Sequence, residues 1–123
     1  ADKIAVRSVS PLPGSTLTSA ELNTINLSVD YELRSAPVGL ITLDVAREVL
    51  RRTFLKLGET EVTRGSGTVT IQANIAGKDL ENLSSTCLRV SLTSLSKPTT
   101  RGFTFDYYAY AMVGDYLVGQ LLP

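Results

Sequence analysis

Glu59 and Glu61 stand two residues apart in a stretch that reads as extended, so their carboxylates share one strand face. Two carboxylates held together can divide acid and base roles once one of them keeps its proton, which is the basis of glycosidic hydrolysis. No aromatic sugar platform or second carboxylate cluster accompanies this pair. Charges that guard an exposed strand against aggregation are therefore the plainer reading. The basic concentration of Arg47, Arg51, Arg52 and Lys56, with Arg64 further on, could clamp an anionic sugar or a phosphate. Glu48, Glu59 and Glu61 lie among these cations, and local ion pairing accounts for them better. A small carbohydrate-binding or hydrolytic domain would have to rest on one of these two groups.

Other chemistries have less to stand on. The chain has no histidine, which removes the commonest general base and the commonest metal ligand together. Cys87 is the only cysteine, so no intrachain disulfide and no thiolate cluster can form; within Thr86-Cys87-Leu88-Arg89-Val90 it reads as a small strand hydrophobe. Asp30, Asp44, Asp79, Asp106 and Asp115 are scattered without the spacing of a calcium loop. Gly65-Ser66-Gly67 lacks the Gly-Lys-Ser/Thr ending of a phosphate cradle and reads as a turn. Asn26-Leu27-Ser28 and Asn82-Leu83-Ser84 match the glycosylation acceptor pattern and read as chance occurrences. The expectation is a chain with no cofactor, no metal and no catalytic residue.

Twelve basic and twelve acidic residues cancel, so charge gives no reason to expect nucleic acid or an anionic membrane as partner. No apolar run approaches the roughly 20 residues that span a bilayer. At 123 residues with 43% hydrophobic content, residues 1–123 are expected to form one folded domain. A start at Ala1 fits a processed secreted chain and an excised domain equally.

The strongest functional lead is aromatic. Phe103, Phe105, Tyr107, Ala109, Ala111 and Val113 alternate as one face of a long final strand, which puts Tyr108, Tyr110 and Met112 on the other. Tyrosine brings large contact area at small entropic loss, so such a row suits recognition. Tyr116 and Leu117 follow in an apolar tail that would fray unless covered. The expected interaction surface is therefore Tyr108, Tyr110, Met112, Tyr116 and Leu117. It would take a protein partner, a neighbouring domain or a second copy, or else the tail folds back onto its own domain.

These residues must be carried by strands. Ile25, Leu27, Val29, Tyr31 and Leu33 alternate strictly with Asn26, Ser28, Asp30 and Glu32, the pattern of a half-buried strand. A shorter strand over Lys3–Ser10 precedes it, ended by Pro11, Pro13 and Gly14. Ala36-Pro37 predicts a turn, with a third strand from Gly39 through Ile41, Leu43 and Val45. Val69, Ile71, Ala73 and Ile75, and then Leu88, Val90 and Leu92, repeat the alternation. The main turns are expected at 33–39, 61–67 and 94–102. Residues 45–57 admit two readings: a helical stripe from Ala46 to Leu57 with Asp44 as N-cap and Gly58 as stop, or two strands with a turn at Arg51-Arg52. The surrounding strands favour the second. The sum is an all-β, antiparallel sandwich of about seven strands.

Three stretches in order, Val9-Ser10-Pro11-Leu12-Pro13-Gly14-Ser15-Thr16-Leu17, Leu27 to Ser35 followed by Gly39 to Leu43, and Val62 to Ile71, resemble a bacterial secreted or cell-surface Ig-like (fibronectin type III-like) module. The resemblance covers a little over half the chain. It implies a β-sandwich, a place outside the cytoplasm (extracellular, at the cell surface or in the periplasm), and a non-catalytic role in interaction, adhesion or spacing. It carries over no catalytic residue.

Overall fold

The computed structural model describes residues 2–18, 22–46, 53–76, 85–95 and 105–119, except for the side chains of 18, 46, 53–55, 85, 105–108 and 118–119. The chain is all-β, and no helix occurs among these residues. Six strands follow one another: β1 (Lys3–Ser10), β2 (Thr16–Thr18), β3 (Leu22–Ala46), β4 (Thr53–Ala76), β5 (Ser85–Leu95) and β6 (Phe105–Gly119). All belong to one sheet, in the order β1-β3-β5-β6-β2, with β4 on the far flank of β3. Every pairing is antiparallel except β2 with β6.

The length of β3 organises the rest. Its first half takes β1 on one side, and its second half, from Val38 onward, takes β5 on that same side. β4 runs along the opposite flank throughout. Between the halves, Leu33 pairs Gly65 and Val38 pairs Thr63, so residues 34–37 of β3 face Arg64 alone. Pro37 has no N–H to lose at a place where the ladder is interrupted. Gly65 has φ +125°, a conformation side chains resist, and turns β4 at the same point. The sheet folds over at this corner. Gly58, six residues before Arg64, lies against Ile71, six after Gly65: a Cβ on Gly58 would stand 2.8 Å from Ile71 Cγ2.

The fold-over closes one core between the two halves. Ile25, Leu27, Val29 and Leu33 of β3 face Ile41, Leu43 and Val45 of its second half together with Leu88, Val90 and Leu92 of β5. All are essentially excluded from water, each contributing about 1.5–3 kcal/mol by burial. Tyr31 packs against this core at its margin.

Two expectations change here. The segments 33–39 and 61–67 are bends within continuous strands, not turns between them, which is why six strands are described where about seven were expected. A corner selects the same proline and glycine as a turn, and only the partner strand distinguishes them. β2 was not anticipated, being three residues long, yet its Leu17 is a core residue. At 45–57 the strand reading prevails on both flanks, with Val45 pairing Leu55 and Ala46 pairing Thr53. Asp44 is no helix cap. The proposed turn at Arg51-Arg52 lies outside the described residues.

Asp2 holds the corner. Its Oδ1 accepts hydrogen bonds from the backbone N–H of Arg34 at 2.8 Å and of Ser35 at 2.9 Å, and its Oδ2 accepts one from Ser35 Oγ. These replace ladder partners that the bend removes. Burial alone would raise the carboxyl's pKa, but the three hydrogen bonds outweigh it and hold it below the usual aspartate value. The stabilisation is therefore complete above the ordinary aspartate pKa of about 4 and disappears as pH falls through the lower folded value. Asp2→Asn is expected to lose about 1–3 kcal/mol in urea unfolding at neutral pH. The gap to the wild type should narrow in acid below that window; an equal gap at both pH values would contradict the role.

Candidate functional site

The outer face of β6 is set by its pairing with β5. Tyr108 pairs Thr93, Tyr110 pairs Ser91, Met112 pairs Arg89, Asp115 pairs Cys87 and Leu117 pairs Ser85. Alternate residues of β5 share one face, so their β6 partners occupy a single row. The row would break at Met112 under simple alternation. It continues because the register shifts between Leu88 and Arg89, leaving Val113 as an extra residue. Gly114, at φ +144°, permits the bulge, and Pro13 seats so closely that a Cβ there would fall 2.6 Å from Pro13 Cβ. Along the row Tyr110 is 54% exposed, Met112 50% and Leu117 54%. The side chain of Tyr108 lies outside the described residues.

Tyr116 does not belong to this surface. The bulge turns it inward, where it is fully buried and its hydroxyl donates to the Pro11 carbonyl at 2.6 Å. Burial pushes its phenol pKa up. The expectation that Tyr116 joins the contact row is corrected: the tail is threaded between β5 and β2, its Leu117 pairing both Ser85 and Thr16. The Pro/Gly turn fastens it further, Gly14 N donating to Asp115 O at 2.8 Å and Leu117 N to Ser15 O at 3.0 Å. Leu12 stands out from that turn at 70% exposure.

On the same face of the sheet, across β5 and β3, lies an ion pair that sequence reading missed. Asp44 on β3 accepts from Arg89 Nε at 3.1 Å and from Arg89 Nη2 at 3.0 Å, a two-pronged contact from the neighbouring strand. Asp44 is only 3% exposed, and the Arg89 side chain 15%. Arg89 is the β5 residue paired with Met112, and its guanidinium reaches away from β6, to the β3 flank of β5. Forty-five residues separate the two partners, so no local pattern announces them.

The other candidates disperse. Glu59 and Glu61 do share the outward face of β4, both exposed, and Glu59 contacts Lys56 Nζ at 3.4 Å. Arg64 is exposed at the corner. Arg47, Arg51 and Arg52 lie outside the described residues. Cys87 is half-buried at the start of β5. Among the described residues no three His, Cys, Asp or Glu side chains gather as a metal ion would need, and no helix is long and apolar enough to cross a membrane. No protein-family model, no curated protein and no solved structure matches this chain.

Proposed function

We propose that this chain is a non-catalytic interaction, adhesion or spacer module of Ig-like kind, bacterial and working outside the cytoplasm, which engages a protein partner or neighbouring domain through the outer face of β6. The observation that supports this is the row Tyr110, Met112 and Leu117, each about half exposed and aligned on one face by the Val113 bulge. Tyr110 and Met112, with Arg89 at the paired position of β5, are residue types enriched at interface centres, and Asp115 adds a charge between Met112 and Leu117. Truncating such contacts typically weakens binding by 1 kcal/mol or more per anchor, on the order of tenfold each.

A photo-crosslinking side chain at position 112, in the cells that make the protein, should capture a defined partner. The same group at exposed position 7 should capture none. Tyr110→Ser with Met112→Ser should abolish the capture while leaving the chain folded, because both side chains are about half exposed and outside the buried core. Equal capture from positions 112 and 7 would sink the reading.

A further inference from the structure

We infer that β4 carries a second interaction surface, its uncharged edge from Gly65 to Ala76, and that this edge pairs antiparallel with the same edge of a second copy of the chain. Among the described residues β4 pairs only with β3, and no described strand pairs with the backbone groups of its other flank. Open edges are ordinarily guarded by charge, shortness or a bulge. The other edges here obey that rule: β1 carries Lys3 and Arg7, β2 has three residues, and β6 carries Asp106 and Asp115. The first half of β4 obeys it too, with Lys56, Glu59, Glu61 and Arg64. From Gly65 to Ala76 there is not one charge. Twelve residues at about 3.4 Å each make roughly 40 Å of unguarded edge, about twice an ordinary strand.

The side chains of that edge suit their own copy. Val69, Ile71, Ala73 and Ile75 face the core, while Thr68, Thr70, Gln72 and Asn74 face outward. A twofold axis through Ile71 sets Thr70 opposite Gln72 and Thr68 opposite Asn74 of the second copy. The second match is donor to acceptor. Thr68 gives its proton to Asp30 at 2.6 Å and keeps an oxygen to accept with. Asn74 uses its carbonyl to accept from Thr24 at 2.9 Å and keeps its N–H groups to donate. Paired hydroxyl and amide side chains across strands stabilise the pairing, whereas like charges directly opposite oppose it. In the overlying layer the axis passes near Gly58, which lies on Ile71, and the flanking Lys56 and Glu59 have opposite signs. No wall of like charge faces itself across the axis.

Sedimentation equilibrium under reducing conditions should show a dimer for the wild-type chain. Thr70→Lys with Gln72→Lys places like charges opposite one another across the axis and should weaken the dimer at least about tenfold. Thr70→Glu with Gln72→Glu should do the same. Mixing the two variants should restore a dimer, which neither a misfolded variant nor an unrelated interface would do. Backbone amides of residues 66–76 in the wild type should exchange more slowly as concentration rises. A wild-type monomer throughout overturns the inference. So does a dimer indifferent to both charge variants, or one lost with Tyr110→Ser and Met112→Ser, which would move self-association to β6.

Discussion

Tyr116→Ala is expected to lower stability by about 3–5 kcal/mol, the range for removing a large aromatic side chain from a packed core. The ring is fully buried, and its hydroxyl reaches across 105 residues to the Pro11 carbonyl. Alanine would both open a cavity and leave that carbonyl without its donor. Tyr116→Phe keeps the ring and should lose only about 1–3 kcal/mol, the consequence of an unpaired carbonyl. Urea unfolding separates the two variants by midpoint at constant slope. Ionisation gives an independent check. Because burial raises the phenol's pKa, the unfolded chain ionises first, and stability should decline as pH rises above the ordinary tyrosine value of about 10. That decline should be reduced in Tyr116→Phe. Deleting residues after Val113 should unfold the protein, since it removes Tyr116 and the end of β6 that pairs β2. A truncated chain that keeps the wild-type midpoint would show that the tail merely lies on the surface.

Asp44→Ala is expected to be nearly as damaging, at about 3 kcal/mol. Removing one partner of a largely buried pair leaves the other charge without its counter-ion, and Arg89 is held between β3 and β6 with little access to water. The pair itself need not be strongly favourable, because both ions are desolvated to form it. Asp44→Leu with Arg89→Met should therefore recover most of the loss, a non-additivity that a double-mutant cycle measures directly. If the double variant is as unstable as the two single losses added together, the ion pair is not the coupling between these strands. The same double variant tests the β6 surface. A fold restored in stability but with weaker partner capture at position 112 would assign Arg89 to recognition as well as to packing.

Much of the fold can be read in the sequence where the signal is local. Alternation in Ile25 to Leu33 and in Val69 to Ile75 marks which residues line the core, and Lys3–Ser10 is a strand with the bounds its prolines suggest. What the sequence conceals are features defined by a distant partner. Residues 34–37 carry turn chemistry, but they form a corner because β4 continues past them and Asp2 satisfies their amides. Asp44 has the look of a helix cap from its neighbours, and its true partner is Arg89 on another strand. The exposure of Tyr110 and Met112 was legible, because both follow period two. The alternation failed at Tyr116 because the extra residue at Val113 shifts the phase, and Gly114 was the one sign of it. The same shift returns Leu117 to the outer face, so one bulge accounts for both.

The parallel pairing of β2 with β6 has a mechanical meaning. Thr16, Leu17 and Thr18 lie beside Leu117, Val118 and Gly119 in the same direction. A load applied at Thr16 and Gly119, as would be reached from the N-terminal side once β1 is freed from β3, draws these two strands in opposite senses along their axes. The bonds between them lie across that pull, together with Gly14 to Asp115 and Leu117 to Ser15, so they share the load instead of parting one by one like a zipper. Yielding under tension is governed by the rate of crossing the unfolding barrier, not by equilibrium stability. Six residues and two turn bonds thus act as a shear clamp between β2 and the end of β6, behind the β1–β3 ladder.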